Sequence, residues 1–599
     1  MTSIMDISTG LVSETTSSSP SSTTSYLTNL TTPGASPLFR PAQGDDTKLG
    51  HVQLSDSRRT ESIRNICVVG AGYVGGPTAA VLALHHPAIT VEVLDKDPSR
   101  IQRWESPHLP VHEPGLDTVV RIVRDGAEMT EEPILSLSSM PTKRRQNLFF
   151  TCESAKSIAR ADIILMAVNT PTKMFGIGAG CATNMTVFDG AMREVAVHAK
   201  PGAIIVEKST VPGLSTLRPG VPFEVLSNPE FLAEGSAVKN LTTPDRILIG
   251  SAPTPSGRQA AQTLTNLYAA WVPRDRILET NAWSSELAKL VANAMLAQRI
   301  SSINAISAIC EKTGADVNEI SDAIGRDVRI GPQFLKAGLG WGGSCFRKDI
   351  ASICWICESL GLSEEAHYWQ QITVINERQR QRFARRVIDR FDGNLVGRKL
   401  AILGFAFKKN TGDTRESLAV DVIRILLEER PAEITIFDPY CREEDILREL
   451  EPAIAQVPHG DRSIVKIHSD PYLACSHAHA VLVVTDCDQF RMSKRSSMRP
   501  GSDSVGGCDI AGTSTAYAGA RTWTHAGVSY QLAPQAKCAG DCRDCHMILA
   551  PQSEAIEWPR IAYSMEEPKW VFDGRGVLDA ELEKFGLRFD AVGRAGQQQ

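Results

Sequence analysis

Cys345 is the residue whose setting most clearly indicates chemistry. It stands in a stretch with four glycines, Gly-Leu-Gly-Trp-Gly-Gly-Ser-Cys-Phe-Arg-Lys-Asp, at positions 338–349. Glycine has no side chain, so such a stretch lets the backbone pass close to a ligand. The residues after the cysteine read as the start of a helix, where the helix dipole and Lys348 favour a thiolate. We therefore expect Cys345 to act as a covalent nucleophile.

A second glycine pattern indicates a nucleotide cofactor. Gly-Ala-Gly-Tyr-Val-Gly at 70–75 follows the apolar run 66–69 and precedes a helical stretch. In that setting the glycines give a tight turn and admit a pyrophosphate at the helix N-terminus. A second strand ends at Asp95, where an aspartate binds ribose hydroxyls and repels a 2′-phosphate, which favours NAD over NADP. Arg100 could instead accommodate that phosphate. A nicotinamide site together with a cysteine nucleophile indicates an oxidation through a thioester.

Three further groups of polar residues are candidates for the same site. Lys289 and Asn293 share one face of a long helical pattern, although a solvated lysine beside a surface asparagine has the same spacing. Glu230 and Glu234 are two acids four residues apart beside a proline, and an ordinary capped helix start explains them about as well as a catalytic role. The stretch 207–210, Glu-Lys-Ser-Thr, ends a strand at the edge where α/β sheets bind ligands.

The composition is that of a globular protein. Of the 599 residues, 42% are hydrophobic and 22% are charged. A formal net charge of −6 argues against a nucleic-acid partner, and no apolar run is long enough for a membrane span. The 14 cysteines are scattered, which indicates reduced thiols in a cytoplasmic protein.

Short apolar runs that alternate with helical stretches predict an α/β fold with two Rossmann-like domains joined by a long central helix. We place the NAD-binding domain at 63–281, the central helical domain at 282–392 and the second Rossmann-like domain at 393–599. Residues 1–62 are rich in Ser and Thr and lack periodicity, which predicts a disordered tail. The Gly/Ser-rich stretch 491–553 is predicted to be a disordered insertion, or an error of the gene model.

Together the motifs resemble one known family. The matching segments are 70–77, 168–173, 207–212, 227–235, 283–304, 329–331, 334–349, 404–417 and 572–575. In this order they are similar to the UDP-glucose/GDP-mannose dehydrogenase family, and within it to the eukaryotic UDP-glucose 6-dehydrogenases. The resemblance implies two successive NAD-dependent oxidations at C6 of UDP-glucose. Cys345 would take up the intermediate aldehyde as a thiohemiacetal, and water would release UDP-glucuronate from the thioester formed next.

The resemblance also implies a role for individual residues. Those implied in catalysis are Cys345, Lys289, Asn293, Glu230, Asp349 and Thr210. Those implied in NAD binding are Gly70, Gly72, Tyr73, Val74, Gly75, Asp95, Arg100, Val168, Thr170, Thr172, Ser209, Thr210, Glu234, Lys348 and Arg415. Those implied in UDP-glucose binding are Glu230, Phe231, Leu232, Lys289, Asn293, Arg329, Phe334, Lys336, Gly342, Phe407, Lys408 and Arg575. Lys289 and Asn293 would stabilise an oxyanion, and Glu230 would be the acid or base of the hydrolysis.

The resemblance further implies a homodimer or homohexamer. In the family two subunits share a substrate site, so Arg329 would be donated across a dimer formed by the helical region 282–392. The last domain, 393–599, would bind UDP.

Three departures from the family leave other interpretations open. The stretch 211–225 is short where the family has a full helix, 130–145 is a small polar insertion, and 491–553 is a long one. A dehydrogenase of another nucleotide sugar, such as GDP-mannose or a UDP-N-acetylhexosamine, is one alternative. A catalytically impaired subunit of an oligomer is the other.

The long insertion contains a possible metal motif. Cys542, Cys545 and His546 match a c-type haem attachment sequence, and Cys538 lies nearby. The expected cytoplasmic location argues against haem, and two adjacent ligands would hardly bind one zinc ion. We therefore predict no metal site.

Overall fold

The computed structural model describes residues 63–131, 142–209, 223–456, 462–492, 522–525, 528–532 and 555–594. The strands are β1 Asn65–Val69, β2 Thr90–Leu94, β3 Ala127–Glu131, β4 Thr142–Arg144, β5 Leu148–Thr151, β6 Ile163–Met166, β7 Ile204–Glu207, β8 Glu224–Ser227, β9 Ile247–Ser251, β10 Ile277–Asn281, β11 Lys399–Leu403, β12 Glu433–Phe437, β13 Val465–Ile467, β14 Ala480–Val483, β15 Thr522–His525, β16 Val528–Gln531, β17 Trp570–Asp573 and β18 Arg588–Ala591. The helices are α1 Gly75–His85, α2 Pro98–Glu105, α3 Leu116–Arg124, α4 Ser154–Arg160, α5 Thr186–His198, α6 Ala237–Thr242, α7 Pro255–Tyr268, α8 Ala282–Thr313, α9 Val317–Gly325, α10 Ser344–Ser359, α11 Ser363–Asp389, α12 Leu418–Glu428, α13 Glu443–Ile454, α14 Pro471–Cys475 and α15 Trp558–Ser564.

Several predictions from the sequence concern residues outside these ranges. They are the tail 1–62, Thr210, most of the short stretch 211–225, and the four side chains Cys538, Cys542, Cys545 and His546.

An eight-stranded sheet organises the first domain, in the order β10-β9-β8-β7-β6-β1-β2-β5. Its inner strands are runs of Ile, Val and Leu buried on both faces, which is typical of a parallel sheet covered by helices. Neighbouring strands are parallel except β8 and β9, which meet at Ser227 and Gly250. The chain leaves β1 for β2 on one side and later returns to β6 on the other. This reversal opens a crevice at the carboxyl end of β1, where such sheets bind ligands.

A six-stranded parallel sheet organises the last domain, in the order β13-β12-β11-β14-β17-β18. Between the two sheets runs α8, which begins after Asn281 and ends at Gly314 in left-handed conformation. The Asn281 side chain caps it by accepting a hydrogen bond from the Ser284 amide at 2.8 Å. The predicted α/β fold with two Rossmann-like domains and a long central helix is confirmed. No helix in the described part of the chain is long and apolar enough to cross a membrane.

A third sheet joins two segments that are far apart in the sequence. It is antiparallel, in the order β15-β16-β3-β4, and β16 pairs with β3 from Val528 opposite Glu131 to Gln531 opposite Glu128. Tyr530 and Leu532 enter the apolar core of the first domain. Segments from two of the three departures from the family, the short insertion 130–145 and the long insertion 491–553, therefore contribute to one sheet.

The prediction of a disordered insertion is thus wrong for 522–525 and 528–532. Along β15, Thr522 and Thr524 are exposed while Trp523 and His525 are half-buried, so the strand alternates as an edge strand should. The rings of Trp523 and His525 stack with centroids 5.1 Å apart.

We expect Leu532→Ala to lower the free energy of unfolding by about 3 kcal/mol, because it leaves a cavity in a buried core. Thr522→Ala on the exposed side of β15 is the matched control and should change the stability by less than about 0.5 kcal/mol. Urea unfolding of both variants measures this, and equal stability of the two would show that the hairpin does not pack on the first domain.

Candidate active site

Cys345 lies in the first turn of α10 and is exposed. The loop before it is tightly packed. A Cβ on Gly340 would lie 2.1 Å from the Asn376 side chain, and one on Gly343 would lie 2.6 Å from the Phe407 ring. Both glycines have positive φ, so another residue would also strain the backbone there. The loop thus fixes the start of α10, and the predicted position of the thiol at a helix N-terminus agrees with the structure.

Asp349 lies one turn further along α10 and is 1% exposed. Asn293 Nδ2 donates a hydrogen bond of 2.6 Å to Asp349 Oδ2. Lys348 Nζ lies 3.2 Å from Asp349 Oδ1. Lys289 is one turn before Asn293 on α8 and is half-buried. The hydrogen bond from Asn293 to Asp349 therefore links α8, which carries the predicted pair Lys289 and Asn293, to α10, which carries Cys345.

The loop after β8 holds Glu230 by both carboxylate oxygens. Oε1 accepts a hydrogen bond of 2.8 Å from the Leu232 amide, and Oε2 lies 3.3 Å from Lys208 Nζ. The Phe231 ring follows, with its centroid 5.3 Å from Lys289 Nζ. The loop thus brings an acid, an aromatic ring and a lysine from α8 together.

The glycine loop after β1 forms a cradle at the start of α1. Gly70 has φ +108, and a Cβ on Gly75 would lie 1.8 Å from its carbonyl oxygen. A Cβ on Gly72 would meet no atom within 4 Å. Val74 occupies the position before α1, and Tyr73 beside it is half-buried. The tight turn and the open space over Gly72 match the roles expected of these glycines.

Asp95 lies at the carboxyl end of β2 and is 8% exposed. Its Oδ2 accepts a hydrogen bond of 2.9 Å from the Ala71 amide and lies 3.2 Å from the Arg100 guanidinium. The buried Trp104 donates from Nε1 to the Ala71 carbonyl at 3.0 Å. Arg100 is therefore paired with Asp95. The glycine loop is held at Ala71, through its amide by Asp95 and through its carbonyl by Trp104.

The residues after β6 and β7 lie along the same edge. Ser209 Oγ donates a hydrogen bond of 2.7 Å to the Val168 carbonyl. Thr170 is buried, and Thr172 forms an isolated bridge within its own loop. Thr210, the next residue after Ser209, is outside the described residues.

Arg415 of the last domain reaches the first domain. Its guanidinium pairs with Asp413 at 2.8 Å, lies 3.5 Å from Glu234 Oε1 and stands 5.9 Å from the Tyr73 ring. Burial, reinforced by Asp413, raises the pKa of Glu234 to about 8. Burial and then Glu234 also raise the pKa of Tyr73. An arginine of one domain thus meets the glycine loop of the other.

Arg575 is half-buried where three loops converge. Its Nε donates to the Val484 carbonyl at 2.8 Å and its Nη1 to the Gly340 carbonyl at 3.1 Å. Burial lowers the pKa of the nearby Lys408, against the opposing attraction of carboxylates and of the Cys345 thiol. Arg575 therefore ties the last domain to the loop that precedes the nucleophile.

Other predicted sugar and nucleotide contacts line the same region. A Cβ on Gly342 would lie 2.6 Å from the Glu416 carbonyl. Phe407 packs on the loop before Cys345, and the Lys408 ammonium lies 5.3 Å from its ring.

Three predicted residues are more exposed. Lys336 Nζ lies 3.5 Å from Asp486, and Phe334 has φ +63 with 41% exposure. Arg329 is 87% exposed and pairs with Asp327, so it stands outside the network of buried side chains around α10.

Family models match the chain in three parts. The NAD binding domain of the UDP-glucose/GDP-mannose dehydrogenase family matches 64–132 and 123–272, its central domain 283–378 and its UDP binding domain 401–503. The chain belongs to this family. It is 47% identical over 546 residues to a UDP-glucose 6-dehydrogenase of Pongo abelii, covering 89% of this chain and 93% of that protein. It is 40% identical over 545 residues to one of Drosophila melanogaster, covering 89% and 97%.

A solved structure gives the same result. The UDP-glucose dehydrogenase of the archaeon Pyrobaculum islandicum matches with a TM-score of 0.58 and 30% identity, over 71% of this chain and 91% of that one.

The residues of the first domain fit the NAD that this family's domain binds. The free space over Gly72 at the start of α1 admits a pyrophosphate to a helix N-terminus. Asp95 stands at the neighbouring strand end, where it can accept hydrogen bonds from ribose hydroxyls. NAD is accordingly the cofactor of this dehydrogenase.

One residue that holds the site was not among the candidates from the sequence. Glu113 is 4% exposed and accepts hydrogen bonds from the Gly235 amide at 2.7 Å and the Ala237 amide at 2.9 Å. Burial raises its pKa. It fastens the loop that carries Glu234. In the sequence Glu113 is an acid before a Pro-Gly pair, and nothing in that pattern indicates that it fastens a loop. Lys208, in contrast, was recognised at the edge of a predicted sheet but was given no role.

Proposed function

We propose that this chain oxidises UDP-glucose to UDP-glucuronate in two steps, each with one NAD. The observation that carries the proposal is the place of Cys345 in the first turn of α10, in the part of the chain that connects the NAD binding domain to the UDP binding domain. Oxidation of an alcohol to an aldehyde needs no nucleophile. Oxidation of the aldehyde does, because a nucleophile must first convert the carbonyl into a tetrahedral centre that can lose hydride.

NAD, when bound, supplies the hydride acceptor. Cys345 Sγ adds to the C6 aldehyde and gives a thiohemiacetal, whose loss of hydride leaves the acyl group on sulfur as a thioester. Lys289 and Asn293 offer an ammonium and an amide on one face of α8. We assign them the stabilisation of negative charge on the C6 oxygen, since fixed donors act strongly in a partly buried site.

Water then releases the product. Glu230 accepts a proton from the attacking water, and the C–S bond breaks with Cys345 leaving as a thiolate. The proton on Glu230 then passes to the sulfur, which restores the thiol and the carboxylate base. Asp349, held by Asn293 at 2.6 Å, keeps that amide directed into the site. Lys408 and Arg575 are cations of the last domain and suit the diphosphate of the nucleotide sugar.

The test of this function compares nucleotide sugars. We expect NADH release with a kcat/KM for UDP-glucose at least about 100-fold above that for GDP-mannose or UDP-N-acetylglucosamine. A preference for either of the others would assign the chain to that substrate, and no NADH with any of them would favour an impaired subunit.

We also propose a cytoplasmic homo-oligomer. Trp283, Leu287 and Met295 follow one face of α8 at helical spacing and are each about half exposed, at 56%, 48% and 49%. An apolar face of this kind suits contact with a second copy, which could bring Arg329 to the partner's site. Light scattering of the purified protein measures the mass.

A further inference from the structure

The loop that carries Glu230 rests on a buried lysine to which the proposed mechanism gives no part. Lys208 directly follows β7, and its side chain is 3% exposed. Its Nζ lies 3.3 Å from Glu230 Oε2 and donates to Asn228 Oδ1 at 3.0 Å. An ammonium in such a place must have partners, because an unpaired buried charge is costly.

The partners of Lys208 form a closed network that reaches through the sheet. Tyr268 on α7 lies with its Oη 3.4 Å from Lys208 Nζ and donates to Asn228 Oδ1 at 2.7 Å. Asn228 Nδ2 in turn donates to the Leu248 carbonyl of β9 at 2.8 Å. Asn228 and Tyr268 thus hold the lysine on the side away from the site, and Glu230 is its partner on the side of the site.

Glu230 is accordingly fixed at both oxygens, by Lys208 and by the Leu232 amide. Two further cations face its loop at the ring of Phe231: Lys289, with Nζ 5.3 Å from the ring centroid, and Arg246, with its guanidinium at 4.1 Å. The buried carboxyl next to Lys208, Glu207, has its pKa raised to about 8 by burial and then by Glu286.

We propose that Lys208 is a positioning residue that holds the Glu230 carboxylate in place and directed toward the water of the hydrolysis step. Its own side chain is too deeply buried to touch the substrate. The inference rests on the proposed function only in taking Glu230 as the base. Its structural core, the Lys208–Glu230 pair, does not depend on which sugar is oxidised.

The test is a double-mutant cycle with rescue by the conservative variant. For Lys208→Met we expect kcat to fall about 100-fold, which is the lower range for loss of a general base. The KM values for NAD and nucleotide sugar should change less than about threefold, because uniform binding is not affected. Lys208→Arg keeps a cation beside Glu230 and should recover most of the lost kcat.

Glu230→Gln separates positioning from a merely structural role. If Lys208 acts through Glu230, then Lys208→Met should cause no further loss of kcat in the Glu230→Gln background. Lys200→Met is the matched control, because Lys200 pairs with Asp162 at the opposite end of the strands, and its activity should be unchanged. If Lys208→Met does not fold, Lys208→Gln replaces it, since an amide can still bond Asn228 and Tyr268.

Equal losses of kcat in both backgrounds, or a folded neutral variant with the original kcat, would overturn the proposal. A wild-type protein that does not oxidise UDP-glucose would instead contradict the proposed substrate. The cycle is then run with the nucleotide sugar that it does oxidise.

Discussion

Replacing Cys345 by serine should lower kcat by about 10³-fold or more, because a hydroxyl is a far weaker nucleophile than a thiolate at neutral pH. Cys345 is exposed at the start of α10 and is not part of a core, so the fold should be unaffected. The affinities for NAD and UDP-glucose should stay within about twofold, since the thiol contributes to the reaction and not to uniform binding. Steady-state kinetics and calorimetric titration of both ligands measure the two effects.

Cys357→Ser is the matched control, because Cys357 lies on the same helix and is half-buried away from its start. Its kcat should stay close to that of the unchanged protein. Samples quenched during turnover are analysed by intact-mass measurement. The protein with Cys345 should carry an added sugar-nucleotide acyl group, and the serine variant should carry none. Turnover of the serine variant at the original rate would rule out a covalent route through sulfur.

The second large effect concerns the glycine loop. Gly75→Ala should lower the free energy of unfolding by about 3 kcal/mol and abolish NAD binding, because its Cβ would lie 1.8 Å from the Gly70 carbonyl. Gly72→Ala is the paired variant, which should lose NAD affinity without losing stability. Its Cβ meets no protein atom within 4 Å, so stability without NAD should be kept. NAD affinity should still fall at least about tenfold, because the methyl group takes the place of the pyrophosphate.

Thermal unfolding with and without NAD separates the two variants. The Gly72 variant should melt like the unchanged protein until NAD is added, and should then gain less stability from NAD. Normal NAD binding by Gly72→Ala would place the pyrophosphate elsewhere.

Local patterns predicted most of the fold. The apolar runs of β1, β11 and β12 and the long helix α8 are visible because hydrophobic periodicity and the absence of proline and glycine act over a few residues. The start of α10 was visible for the same reason, and the structure adds the bond from Asn293 to Asp349 at 2.6 Å. The roles of individual residues depended on motif resemblance, since spacing alone left surface and catalytic readings of Lys289 open.

Contacts between distant segments could not be predicted from local patterns. The pairing of β16 with β3 joins segments that are far apart in the sequence, and no local pattern in either segment indicates the other as its partner. The network of Lys208, Asn228 and Tyr268 likewise assembles from β7, β8 and α7 only when the sheet is formed. Two signals for the hairpin were available: Thr alternates with aromatic residues in 522–525, and apolar residues alternate with polar ones in 528–531.

The most direct test of the central claim is the stoichiometry of a complete reaction. A limiting amount of UDP-glucose is consumed with excess NAD, and NADH is measured by absorbance while the sugar nucleotides are separated by chromatography. Oxidation through a thioester on Cys345 predicts two NADH and one UDP-glucuronate for each UDP-glucose, with no free aldehyde. One NADH for each UDP-glucose, with the aldehyde accumulating, would contradict it.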